Sequence, residues 1–116
     1  MKSHLTITIF AACLVAISTP TFASGVSQLA NVTKVISSAG AGGYTRITLD
    51  GTGVNPDSCT SGVTSSYYLD VNNIQHNTIV AMALTARSAN TPMRFLLSNC
   101  FTAGATTYPS IWNAEY

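Results

Sequence analysis

Hydrophobic and polar residues alternate over 44–50: Tyr44, Arg46, Thr48 and Asp50 fall on one side, Thr45, Ile47 and Leu49 on the other. A period of two predicts a half-buried β-strand. Residues 31–38 alternate more weakly but carry Val32, Thr33, Val35 and Ile36, and β-branched side chains favour a strand there too. The glycine-rich run 39–43 between them reads as a turn. After the turn chemistry of DGTG (50–53), a loop over 54–65 carries Cys59, and SYYLDV (66–71) gives a third strand.

The period then changes. From an N-cap at Asn72 or Asn73 to about Ser88 the spacing is helical. Ile79, Met82, Ala83 and Ala86 share one face, flanked by Val80 and Leu84. The opposite face holds Asn77, Thr78, Ala81, Thr85 and Ser88. Arg87 lies in the last turn, where a cation complements the helix dipole, and Pro92 forbids continuation. Residues 93–98 read as a fourth strand, 99–107 as a loop with Cys100, and 108–116 as a fifth strand with Pro109 near its start or at an edge. Residues 23–30 read as a loose lead-in. The predicted fold is mainly β with one helix, in the order β-β-β-α-β-β, which is that of the five-stranded OB-fold barrel. No repeat or linker divides residues 24–116, so they are expected to form one domain.

Residues 1–23 differ in kind. Lys2 precedes an uncharged apolar run over 5–17, and Thr21-Phe22-Ala23 ends the segment with small residues where a signal peptidase reads them. The expected leader is therefore 1–23, with export to the periplasm or beyond. The run is shorter than the roughly 20 residues that span a bilayer, so no stable membrane insertion is expected. Phe10–Cys13 loosely resembles a lipoprotein cleavage site, with Phe10 where a small aliphatic residue is wanted.

Cys13 leaves with the leader, and Cys59 and Cys100 remain. An even pair in an exported chain is most simply a disulfide. Zinc would want four ligands, and the rest of the chain adds only His76, without CxxC or HxxxH spacing. No cofactor is expected.

Beyond the leader, Lys34, Arg46, Arg87 and Arg94 balance Asp50, Asp57, Asp70 and Glu115. No basic patch is available for phosphates, which argues against a nucleic-acid partner. The acids are scattered, and neither a general acid/base pair nor a Ser-His-Asp set has motif support, so no enzyme is expected. Polarity comes from Ser, Thr, Asn and Gly, which suits hydroxyl-rich ligands. Tyr67 and Tyr68 are neighbours on one strand and must face opposite ways, one to the core and one outward. With Trp112 they are the candidate ligand-binding residues, since aromatic faces beside amides and hydroxyls can stack on sugar rings. Tyr44, Tyr108 and Tyr116 add aromatic surface.

The stretches PDSC, SYYLD, IVAMALTAR, MRFLLSNC and YPSIWNAEY, in this order, resemble a group of small exported bacterial proteins. Those have a Pro-x-x-Cys loop, a helix rich in Leu and Ala, and a second Cys ending the next strand. The resemblance covers most of 31–116. More distantly the chain is similar to the receptor-binding B subunits of AB5 toxins of the subtilase cytotoxin type. That resemblance implies an OB-fold, a disulfide, a homo-pentameric ring, a cell-surface glycan as ligand and an A subunit as partner. Two departures stand out: LANV (29–32) offers no counterpart to the sugar-binding serine of that type, and the helix meets SANTP (88–92) instead of a glycine. No site residue carries over. The uncharged outer helix face suits close packing between copies, although a charge-poor chain has such faces in any case.

Overall fold

The computed structural model describes residues 25–38 and 42–116. The expected leader, with Cys13, lies outside them. Among the described residues there are six strands and one helix: β1 (Gly25–Val26), β2 (Val32–Ser38), β3 (Tyr44–Leu49), β4 (Ser66–Asp70), α1 (His76–Ala89), β5 (Arg94–Ala103) and β6 (Thr106–Glu115). The strands hydrogen-bond in the order β1-β5-β6-β4-β3-β2. All neighbours are antiparallel except β4 and β6, which run parallel with Tyr68 opposite Ser110.

The fold is thus mainly β with one helix, but it corrects the expected five-stranded closed barrel. The lead-in expected to be loose contributes the sixth strand, pairing Gly25 with Leu97 and Val26 with Leu96. The sheet is open because β1 and β2 are joined by a segment without a continuous ladder. That segment makes separate bonds in both directions. Ser27 and Ala30 donate to the carbonyls of Phe95 and Met93, and Asp50 donates to the carbonyl of Asn31.

A second correction concerns 99–107, expected as a loop. β5 and β6 run through it as a long hairpin that turns on two residues, with Gly104 at φ 67, a conformation cheap only for glycine. Cys100 therefore sits within β5. The helix also starts later than expected. Gln75 occupies the N-cap position without a side-chain cap, and Asn90 at φ 56 ends the helix in the left-handed conformation.

The core lies between the inner face of the sheet and α1. Ile47, Leu49, Tyr67, Leu69, Phe95, Leu97 and Ile111 meet Ile79, Ala83 and Ala86 of the helix, with Val32 and Met93 at its rim. The expected helix face is the one buried, with Met82 packed partly against the core. The opposite face is solvent-exposed, as is Leu84. Cys59 and Cys100 are disulfide-bonded with Cα atoms 5.8 Å apart, a normal separation for the bond. The bridge pins the 50–65 loop onto β5. Asp57 Oδ2 accepts from the Asn99 amide at 2.8 Å, and Thr60 and Thr107 exchange bonds between amide and hydroxyl, on either side of the bridge.

Candidate functional site

The alternation that buries one face of the sheet presents the other. On β3 the outer residues are Tyr44, Arg46 and Thr48; on β4, Ser66, Tyr68 and Asp70; on β6, Tyr108 and Ser110. Register brings four rings together over the middle of this face. Tyr68 stacks on Tyr108 at a centroid distance of 4.3 Å and on Phe101 at 5.9 Å. Tyr44 leans in from β3, 4.8 Å from Tyr68 and 5.5 Å from Phe101. Each such pair adds about 0.5–1.5 kcal/mol beyond area burial, so the rings form a packed platform. Tyr68, at its centre, is 4% exposed, while Tyr44, Phe101 and Tyr108 are half-buried around it.

Arg46 lies in register with Tyr68 on this platform. Its Nε is fully enclosed and has no hydrogen-bond partner. Among the described residues the ion pair is Arg94 with Glu115, and no carboxylate lies within salt-bridge distance of Arg46. A partly desolvated guanidinium with an unused donor and no counter-charge is costly unless something completes it. Burial pushes the Tyr68 hydroxyl above its ordinary pKa; a hydrogen bond and the positive charge from Arg46 pull it back, and Tyr108 pushes it up further. Arg46 and the hydroxyls of Tyr68 and Tyr108 therefore share one neighbourhood. They offer donors beside flat apolar rings.

Tyr67 points the other way. It is fully buried, edge-on to Phe95 at 5.9 Å. Its hydroxyl donates to Gln28 Oε1 at 2.6 Å and accepts from the Val54 amide at 3.1 Å. It ties the lead-in and the 50–65 loop to β4, and is a structural residue. Burial raises its pKa, partly offset by the Val54 hydrogen bond. The pH dependence follows from the sign. The unfolded chain loses both tyrosine protons near pH 10, while the folded chain holds them longer. Stability from Tyr67 and Tyr68 is therefore complete below about pH 10 and is lost as pH rises through their folded pKa values. Urea midpoints should fall above about pH 10; a flat alkaline limb would contradict this.

Trp112 lies on β6 beyond the platform, 42% exposed. Of the three candidates the sequence offers, Tyr68 is on the platform, Trp112 lies further along β6 and Tyr67 is inside. Arg46 and Phe101 join the site without being among those candidates. The Tyr44-x-Arg46 alternation is a signal for the first; Phe101 lies in a segment that reads as loop. His76 Nε2 is 3.0 Å from Thr45 Oγ1 and Nδ1 3.2 Å from Asn77 Oδ1. Asp70 Oδ1 accepts from the Asn72 amide. Among the described residues no group of three or more His, Cys, Asp or Glu is placed to hold a metal ion. What the platform can do is stack and donate hydrogen bonds. Comparison with protein-family models, curated proteins and solved structures finds no match to this chain.

Proposed function

We propose that this protein is an exported, non-enzymatic binding module that takes a glycan on the outer face of β3, β4 and β6. The observation that carries the reading is Arg46, half-buried beside the Tyr44–Tyr68–Phe101–Tyr108 platform with no carboxylate within salt-bridge distance among the described residues. A sugar brings hydroxyl or carboxylate acceptors for the guanidinium and a C–H face for the rings.

The topology supports an OB-like interpretation. With the short β1 set aside, the strand order along the sheet is first, second, third, fifth, fourth, and the segment before β2 bonds to both β5 and β3. Tyr44 and Tyr68 of the platform lie on the second and third strands of that scheme, the face on which OB-folds take oligosaccharides, and Phe101 and Tyr108 on the fourth and fifth. The disulfide and the leader-like start favour an oxidising, exported setting. The resemblance to AB5 toxin B subunits adds a homo-pentamer and an A subunit to the proposal. The exposed helix face supports assembly: it is uncharged and short-chained, with a shallow hollow of about 470 Å³ along Leu84, Thr85, Ser88 and Ala89.

An array of immobilised glycans tests the function. Specific binding that falls at least about tenfold in Arg46→Gln is expected, as for loss of a charge-assisted hydrogen bond. A second reading, a structural envelope-associated protein without a small-molecule ligand, rests on the rings packing on one another as a small outer core. It is favoured if no glycan binds and Arg46→Gln changes only stability.

A further inference from the structure

Trp112 is the chain's single tryptophan, and the platform does not use it. It is the extra residue of a bulge: Leu96 pairs with Asn113 and Leu97 with Ile111, so no residue of β5 opposes it. Asn73 holds this bulge open. Its Nδ2 donates to the carbonyls of Ile111 and Trp112 at 3.2 and 3.3 Å, and its Oδ1 accepts from the Gln75 amide at 2.7 Å. The ring stands beside a hollow of about 120 Å³ lined by Asn73, Ile74, Gln75, Trp112 and Asn113.

The chemistry of that hollow is narrow. It has an indole, an aliphatic side chain that is 97% exposed, and amides, without a charged group. Asn73 is committed to the bulge. Asn113 Oδ1 accepts from the Ala114 amide at 2.9 Å, leaving its Nδ2 as a donor, and the side-chain amide of Gln75 has no bond among the described residues. A flat apolar plate with neutral donors and acceptors at its rim matches an uncharged sugar ring and repels nothing but charge.

Tyr108, Ser110 and Trp112 follow one another along the outer side of β6, and the strand rise separates the first from the last by about 13 Å. That is the reach of an oligosaccharide and exceeds that of a single sugar. We infer that the Trp112 hollow is a second saccharide subsite for an uncharged unit, and that the ligand is an oligosaccharide running along β6 from the Arg46 platform to Trp112. This rests on the glycan reading above and adds the length and the far-end chemistry of the ligand.

The single indole makes the test direct. An array of immobilised mono- to hexasaccharides is screened, and the bound structures and their shortened forms are titrated while tryptophan emission is followed. Affinity should rise at least about tenfold from the shortest to the longest bound form. Emission should shift only with the longer forms. Trp112→Ala should lose the gain with length, and Trp112→Phe should keep most of it. Longer forms that bind Trp112→Ala as tightly as wild type, while Arg46→Gln still weakens them, overturn the second subsite and leave the glycan reading intact. No bound structure on the array overturns both.

Discussion

Replacing Cys59 and Cys100 together by alanine should lower the unfolding free energy by about 4 kcal/mol, the loop-closure value for cysteines this far apart in sequence. The bond spans 41 residues. Small domains have only about 5–15 kcal/mol in total, so the loss removes from about a quarter to about four-fifths of it. The local structure explains why other contacts do not compensate. Within the 50–65 loop, ladder-type pairing is limited to the Val54–Thr64 bridge. The ties to the hairpin, Asp57 to Asn99, Thr60 to Thr107 and the Ser61 amide to the Thr107 carbonyl, lie close to the disulfide in sequence and depend on its holding the two segments in register. Urea denaturation of the oxidised wild type and the double variant decides the matter. Equal midpoints would mean that the loop holds itself in place.

The second large effect comes from Gly53→Ala, expected to cost about 3 kcal/mol, at the upper end of ordinary overpacking. A Cβ there would lie 1.8 Å from the Thr64 carbonyl oxygen and 2.2 Å from its carbon. Both are backbone atoms and cannot swing aside. The displacement would propagate, because Val54 pairs with Thr64 and donates its amide to the buried Tyr67 hydroxyl, which in turn holds Gln28. Gly51→Ala is the useful contrast. Nothing lies within 4 Å of its added carbon, but φ is +81°, so it carries only conformational strain, about 1–2 kcal/mol. Thermal unfolding should rank Gly53→Ala below Gly51→Ala. The reverse order would show that the close approach relaxes without cost.

Much of this fold can be read along the chain, and the exceptions have specific causes. β2 and β3 agree with their alternating stretches to within a residue or so, because a two-sided strand must show a period of two, and β4 agrees as closely with the SYYLDV run. The buried helix face follows from 3.6-residue spacing in the same way. The 99–107 stretch fails because Asn, Gly, Ala and Thr carry little apolar signal. It forms the end of β5, a two-residue turn and the start of β6, because cross-strand pairing in the hairpin decides the conformation where the apolar pattern is weak. Asn73 looks like a helix cap but serves β6 instead, donating to carbonyls nearly forty residues away. At the candidate site, alternation requires Tyr67 and Tyr68 to oppose each other, but only packing says which is inside. Arg46 reads as an ordinary strand cation. That no carboxylate approaches it is a property of three dimensions.

The lead-in segment has a consequence for the order of assembly. Among the described strands, β2–β3 and β5–β6 pair strands that are close neighbours in the chain. β3–β4 spans the 50–65 loop, while β1–β5 and the parallel β4–β6 pair join distant parts of the chain. A polypeptide emerging from its N-terminus would present Gly25, Val26 and Ala30 long before Leu97, Leu96 and Met93 arrive to meet them. The ends of the domain are therefore fastened last, and such distant pairings make acquisition of the native state slow. Until then the strand-forming edges stay bare and open to association with other chains, the hazard that escorts for unfolded proteins exist to contain.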